Sequence, residues 1–449
     1  SKNLQANPWN SRTLYESYGS QRGSILVDGT EIASSVSSSD GYAFQRVYNQ
    51  PELYANLTGY FSSVYGATGL ESSMNEQLSG NSDAQFYDRL AQMFTGNTAA
   101  GASVELTIDG QLQQLAYNLL DGHKGSIVAL NPKTGEVLAM VSTPSYDPNT
   151  LASHNAEPVL AAYSALNADP AKPLYNRAIA GDTYAPASTF KIIDAVAALE
   201  SGKYNADSVI PNPQNLPLPK TNTTLPNYLG GNCTARTEAT IEWALAQSCN
   251  TPFAQIAMDL GQEKIAQTAQ NFGYGQDLSI PLSVSQSVFP TNMEKSQLAL
   301  AAIGQYDVKT TPLQVAMTSA AIANEGVQMK PNLIRSVKSH NLSSLYDFSA
   351  EELRRSTSPD VANQVKKWMV NSVENGIAAG AGVNGVSVGG KTGTAETGAD
   401  TVNSWFTGFA PADDPQVAIA VVYEDVDTTT GSQLSTSAAR QIFEAVLNK

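Results

Sequence analysis

The chain has few of the residues on which metal and redox chemistry rely. Its 449 residues include only three histidines, His123, His154 and His340, set far apart in loop-like segments. They show no metal-ligand spacing, so no metal centre is expected and surface histidine is the simpler reading of each. The two cysteines, Cys233 and Cys249, fit one disulfide outside the cytoplasm or two buried thiols inside it. Composition leaves both open.

Positive charge is also scarce. With 26 basic against 41 acidic residues the formal charge is −15. That argues against nucleic acid and anionic membrane surfaces, which both call for basic patches. No apolar run approaches the roughly 18 residues of a transmembrane helix. The first residue is Ser1, not Met, and the expectation is a trimmed or mature form from which an anchor has been removed. What remains is ordinary: 42% hydrophobic and 15% charged residues, enough for a large core, at a length that predicts two domains.

A change of composition places the boundary. Residues 1–103 are polar and rich in Ser, Tyr and Gly, with short alternating stretches at Gly23–Val27 and Ala43–Tyr48. They predict an irregular β-containing domain with few helices. In residues 104–449 the patterns are clearer. Leu112, Leu115, Ala116, Leu119 and Leu120 recur at helical spacing after Asp109, a ready N-cap. GSIVALNPKTGEVLAMVS predicts a hairpin whose turn is Asn131–Gly135. A loop-rich stretch runs to Ala185, and STFKIIDAVAALESG then predicts a helix. Residues 203–236 read as loop, and IEWALAQS, TPFAQIAMDLG and TPLQVAMTSAAIANEG as helices. GVSVGG, NSWFTGFAP and QVAIAVVYE read as strands before a last helix, AARQIFEAVLNK. The fold class is α+β, an antiparallel sheet covered by helices.

One segment, GVSVGGKTG at Gly385–Gly393, matches the phosphate-loop pattern G-x-x-x-x-G-K-[ST]. Such a loop requires a buried strand before its first glycine and a helix opening at the lysine. Here small, flexible residues precede Gly385, and Thr-Gly-Thr-Ala-Glu-Thr-Gly follows Lys391, too glycine-rich to start a helix. Nucleotide binding is not expected.

A serine–lysine site accounts for Lys391 better. Ser188 and Lys191 stand three residues apart at a helix start, so hydroxyl and amine share a face. A lysine neutralised by burial and a second nearby cation can take the serine proton as general base. Ser248-Cys249-Asn250 supplies a hydroxyl to relay a proton and an amide to bind substrate. Lys391 would polarise Ser248, and Thr392 and Thr394 would hold a substrate carboxylate. Gly393 would let the serine helix approach, and the backbone N–H groups of Ser188 and Thr394 would form the oxyanion hole. Each fragment alone is weak. Ser-x-Asn recurs at Ser73, Ser79, Ser153 and Ser339, and Lys-Thr-Gly recurs at Lys133 as a turn. The ordered set is specific.

That set resembles the signature of penicillin-binding proteins and serine β-lactamases. Further stretches resemble class B, monofunctional penicillin-binding proteins: Arg22-Gly-Ser-Ile, GATGLESSMNEQLSG, YNRAIAGDTYAPASTFK, IGQYDVKTTPLQVA and SWFTGFAP. The compact N-terminal region is similar to the actinobacterial branch. The chain departs from the family at Ala187 and Tyr306, where members usually have Gly, and carries Cys249 inside Ser-x-Asn.

The resemblance implies a cofactor-free peptidoglycan D,D-transpeptidase of cell-wall growth or division. Ser188 would attack the penultimate D-Ala carbonyl of a stem peptide ending in D-Ala-D-Ala, and β-lactams would acylate the same serine. It further implies a membrane-anchored enzyme on the extracytoplasmic face, a separate glycan-polymerising membrane enzyme as partner, and a pedestal or partner-binding role for residues 1–103. An extracytoplasmic site implies a Cys233–Cys249 disulfide, contributing about 3 kcal/mol. A β-lactamase or β-lactam sensor would share the triad, but no deacylating glutamate motif is seen. A mainly structural wall-synthesis partner is the other alternative.

Overall fold

A computed structural model describes residues 19–96 and 100–449. Two sheets organise them. The first is built from β1 (Ile25–Val27), β2 (Thr30–Ser37), β3 (Phe44–Tyr48) and β4 (Ser103–Leu106). The second opens with a hairpin, β5 (Gly125–Leu130) and β6 (Val137–Thr143). The chain returns to the first sheet through β7 (Ile334–Lys338) and β8 (Ser344–Asp347). It then completes the second with β9 (Gly389–Glu396), β10 (Val402–Ala410) and β11 (Val417–Val426).

The second sheet runs β9-β10-β11-β5-β6 and is antiparallel throughout. Alternation along its strands sorts side chains to two cores. Ala418, Ala420 and Val422 of β11 pack with the helices Lys191–Glu200, Pro312–Ala323 and Pro359–Asn375. Ile419, Val421 and Tyr423 face the helices Gly110–Leu119 and Thr428–Leu447. The α+β expectation holds. So does the Asp109 cap, whose side chain accepts from Gln111 N and Leu112 N.

Several local expectations change. The strand read at GVSVGG lies later: β9 begins at Gly389 and carries Lys391 itself, while Gly385 takes a φ of +74° in a turn. The last helix starts at Thr428 because Asp427 accepts from Thr430 N and caps it there. A helix at Ala156–Ala168 interrupts the stretch expected to be loop. The N-terminal region holds more helix than expected: Pro51–Thr58, Gly69–Ser73, Asn75–Ser79 and Phe86–Thr95. His154 is largely covered rather than on the surface, and pairs with Asp40.

The first sheet runs β8-β7-β4-β1-β2-β3, so it draws strands from both sides of residue 103. One buried carboxylate ties its elements together. Glu71 accepts from Arg22 Nε at 3.0 Å and Arg46 Nε at 2.7 Å, and from the Tyr48 hydroxyl. Burial alone would raise its carboxyl, but the charges of Arg46 and Arg22 outweigh it and hold the value down to about 2. Arg22 and Glu71 belong to the two N-terminal stretches singled out in the sequence. They join the start of β1 to the helix Gly69–Ser73 and, through Arg46, to β3.

Glu71→Gln leaves two guanidiniums buried without their anion. It is expected to cost about 3 to 5 kcal/mol in urea unfolding at neutral pH. Because the folded value of about 2 lies below the ordinary 4.5, this contribution is complete above the ordinary value and fades as pH falls toward the folded one. Native and variant midpoints should therefore converge in acid; a gap that stays constant would assign the loss to packing instead of charge.

Candidate active site

The site forms where the edge strand β9 meets three turns from the helical layer. Ser188 sits in a 3₁₀ turn, Ala187–Phe190, that runs straight into the helix Lys191–Glu200. Ala187 holds a φ of +51°, a left-handed conformation that glycine adopts freely. Its N–H donates to Gly304 O at 3.1 Å. A Cβ on Gly304 would stand 1.9 Å from Ala187 O, so these two backbones interlock. Tyr306 likewise has a φ of +56°. Both departures from the family's glycines thus fall at positions whose backbone explains the usual glycine.

Ser248 caps the helix Ile241–Gln247 in a left-handed conformation, φ +59°, and Asn250 opens the next helix, Asn250–Leu260. Ser-Cys-Asn is therefore the joint between two helices. Asn227 holds that joint, its Oδ1 accepting from Asn250 N at 2.8 Å and Thr251 N at 3.0 Å. Cys233 and Cys249 are disulfide-bonded, with Cα atoms 5.7 Å apart. The bridge fastens the loop before these helices to the residue between Ser248 and Asn250.

Two buried amines converge on the Ser248 hydroxyl. Lys391 Nζ donates to Ser248 Oγ at 2.8 Å, and to Thr392 O at 2.8 Å. Lys191 Nζ lies 3.2 Å from the same Oγ, 3.0 Å from Ser248 O and 2.7 Å from Asn250 Oδ1. Neither lysine has exposed surface. Burial, and then the neighbouring Lys391 charge, drive Lys191 well below the ordinary lysine value. Burial brings Lys391 down to about 7. A neutral Lys191 fits its three partners: it donates to Ser248 O and Asn250 Oδ1 and accepts from the Ser248 hydroxyl. The chain Lys391 N–H to Ser248 O–H to Lys191 is then continuous.

Sequence reasoning expected Ser188 and Lys191 to meet directly. Among the described residues no hydrogen bond joins Ser188 Oγ to Lys191 Nζ, because the amine is held by the Ser248 and Asn250 oxygens. The Asn250 amide is also engaged, Nδ2 donating to Pro226 O at 3.0 Å. Gly393 stands where expected: a Cβ there would lie 3.3 Å from Ser188 N and 3.3 Å from Pro186 O. Ser188, Ser248, Asn250, Thr392, Gly393 and Thr394 all line one cleft of about 820 Å³. Lys133, in the other Lys-Thr-Gly, pairs with Asp414 at the β5–β6 turn, where Gly135 has a φ of +85°.

Sequence reasoning missed Asp194. It lies one turn after Lys191 with no exposed surface, and neither carboxylate oxygen has a hydrogen-bond partner. Burial pushes its carboxyl well above the ordinary range, opposed only by Lys191. Burial there favours the neutral acid.

The chain belongs to the penicillin-binding protein transpeptidase family, whose domain model matches residues 125–445. A second model, the penicillin-binding protein A dimerisation domain, matches residues 22–104. Among curated relatives, the peptidoglycan D,D-transpeptidase PbpA of Mycolicibacterium smegmatis is 40% identical over 99% of this chain and 93% of its own length. PbpA of Mycobacterium tuberculosis is 38% identical over 99% of this chain and 92% of its own. The solved structure of penicillin-binding protein A from M. tuberculosis as a ceftriaxone acyl-enzyme complex superposes with a TM-score of 0.91. It is 38% identical and covers 96% of this chain and 100% of that one.

Asp194 supplies a test of the electrostatics. Its folded value is raised, so the unfolded chain releases this proton first and stability falls as pH climbs past the ordinary carboxylate range. Asp194→Asn removes that dependence. Thermal melts should show the variant gaining on the native protein as pH rises above the ordinary carboxylate range. A constant offset would mean that the acid is ionised in the fold.

Proposed function

We propose that this chain is a peptidoglycan D,D-transpeptidase that works through a Ser188 acyl-enzyme. The observation that carries the assignment is the Ser248 hydroxyl within hydrogen-bond reach of two buried lysines, at the base of the cleft that Ser188 faces. Ser188 Oγ attacks the penultimate D-Ala carbonyl and its proton passes to neutral Lys191. The carbonyl oxygen gains charge against the N–H groups of Ser188 and Thr394. The Ser248 hydroxyl relays the proton to the departing D-Ala nitrogen, and the C–N bond breaks. The amine of a second stem peptide then attacks the ester, gives up its proton along the same route, and restores Ser188 as the cross-link forms.

Lys391 serves this cycle by its charge and its donor. It keeps Lys191 neutral and orients the Ser248 hydroxyl, while Thr392 and Thr394 hold the terminal carboxylate. β9 is an edge strand, so an extended stem peptide can lie along it. A β-lactam presents its ring carbonyl to the same atoms and acylates Ser188. Residues 104–449 carry this chemistry. Residues 1–103 are assigned a pedestal or partner-binding role, in an enzyme held at the outer face of the membrane beside a separate glycan polymerase.

Benzylpenicillin followed by intact-mass measurement tests the assignment. A long-lived adduct is expected on the native protein and none on Ser188→Ala. Lys191→Ala should slow its formation about a hundredfold or more. Rapid return to the native mass would mark a β-lactamase, and no adduct on folded native protein would overturn both readings.

A further inference from the structure

The cleft carries a feature that acyl transfer itself does not use. Of the described residues lining it, Glu396 alone bears a charged side chain. It is exposed, and no ion pair engages it among the described residues. It stands in β9 two residues after Thr394, so Thr392, Thr394 and Glu396 share one face of the strand. Its Cα lies roughly 7 Å beyond that of Thr394.

The direction of the strand says what would lie beside it. With the terminal carboxylate of the stem at Thr392 and the scissile carbonyl at Thr394 N–H, the stem's C-terminal dipeptide spans that part of the strand. The residue before the dipeptide then falls next to Glu396. Tyr228 and Leu229 line the same cleft, and Leu229 is 84% exposed. Apolar wall and lone carboxylate together suit a side chain with a methylene stem and a positive tip.

We propose that Glu396 is a specificity-determining residue that selects stem peptides whose third residue is a diamino acid with a free, protonated side-chain amine. The inference rests on the transpeptidase assignment, and concerns which donor is preferred rather than whether acylation occurs. Glu396 holds the cation by charge at the mouth of the site, where water screens it. Its effect is therefore a modest preference that salt weakens.

Three penicillins of one skeleton separate the possibilities: ampicillin carries an ammonium on the side-chain α-carbon, benzylpenicillin no charge there, and carbenicillin a carboxylate. The rate of Ser188 acylation is measured for native protein, Glu396→Gln and Glu396→Lys at low and high salt. The native protein should favour ampicillin over carbenicillin. Glu396→Gln should reduce that ratio about threefold and Glu396→Lys should invert it, with benzylpenicillin unchanged within about twofold. High salt should narrow the native ratio and leave that of the glutamine variant in place. The peptides Nα-acetyl-Lys-D-Ala-D-Ala and its Nε-acetyl form should show the same ordering in D-Ala release. A ratio unaffected by either variant, or equal changes for all three penicillins, overturns the inference. Failure of the native protein to react with any of them overturns the transpeptidase assignment instead.

Discussion

Two amines share one hydroxyl at the centre of this fold, and neither has a carboxylate in contact. Moving an ammonium out of water costs several kcal/mol even after relaxation. Placing a second beside it adds repulsion that a low dielectric does little to screen. Burial and the neighbouring charge resolve the conflict by lowering one amine, Lys191, at the start of the helix that follows Ser188. Its basicity is therefore a product of burial and of Lys391. Asp194 fits this balance. An ionised carboxylate one turn below would restore the proton to Lys191, whereas a carboxyl without hydrogen-bond partners stays protonated and leaves the amine free.

Holding a hydroxyl between two lysines demands a rigid joint, and the backbone around it is accordingly unusual. Ser248 and Ala187 both adopt left-handed conformations, which cost an L-residue roughly 1 to 2 kcal/mol each. Such conformations persist only where their surroundings over-determine them. Around Ser248 the constraints are the Cys233–Cys249 bridge, the Asn227 side chain and the start of the helix Asn250–Leu260. Around Ala187 they are the interlocked backbone of Gly304 and the close face of Gly393. Three separate stretches of chain therefore meet with little freedom left in any of them.

This explains what could be read in advance. The gathering of Lys191, Ser248 and Lys391 beside the cleft that Ser188 lines was legible because the chemistry expected of them requires fixed residue types in a fixed order, and the helix after Ser188 because its apolar spacing is regular. The two-sided sheet was legible in the alternation of QVAIAVVYE. The strand containing Lys391 was displaced because glycine and threonine give no local signal, and its place in β9 is set by pairing with β10. Asn227, Asp194 and Glu396 were missed for one shared reason. Each acts through neighbours that the fold brings to it, and a lone Asn, Asp or Glu in sequence resembles any solvated polar residue.

The buried triplet of the N-terminal sheet obeys a different rule. Arg22, Glu71 and Arg46 place two positive charges and one negative in a dry interior, which packing alone would not select. Their geometry supplies specificity: a carboxylate bonded to two guanidiniums and the Tyr48 hydroxyl admits few alternative registers. That register matters because β7 and β8, from the far side of residue 103, must add to β4 in the same sheet. An error of one residue in β1 would turn Ile25 and Val27 outward and disturb its pairing with β2 and β4. The N-terminal sheet is thus completed by strands from the catalytic half of the chain. The charged lock lies on the N-terminal side of that seam, among Arg22, Arg46 and Glu71, while the two buried lysines lie at the cleft.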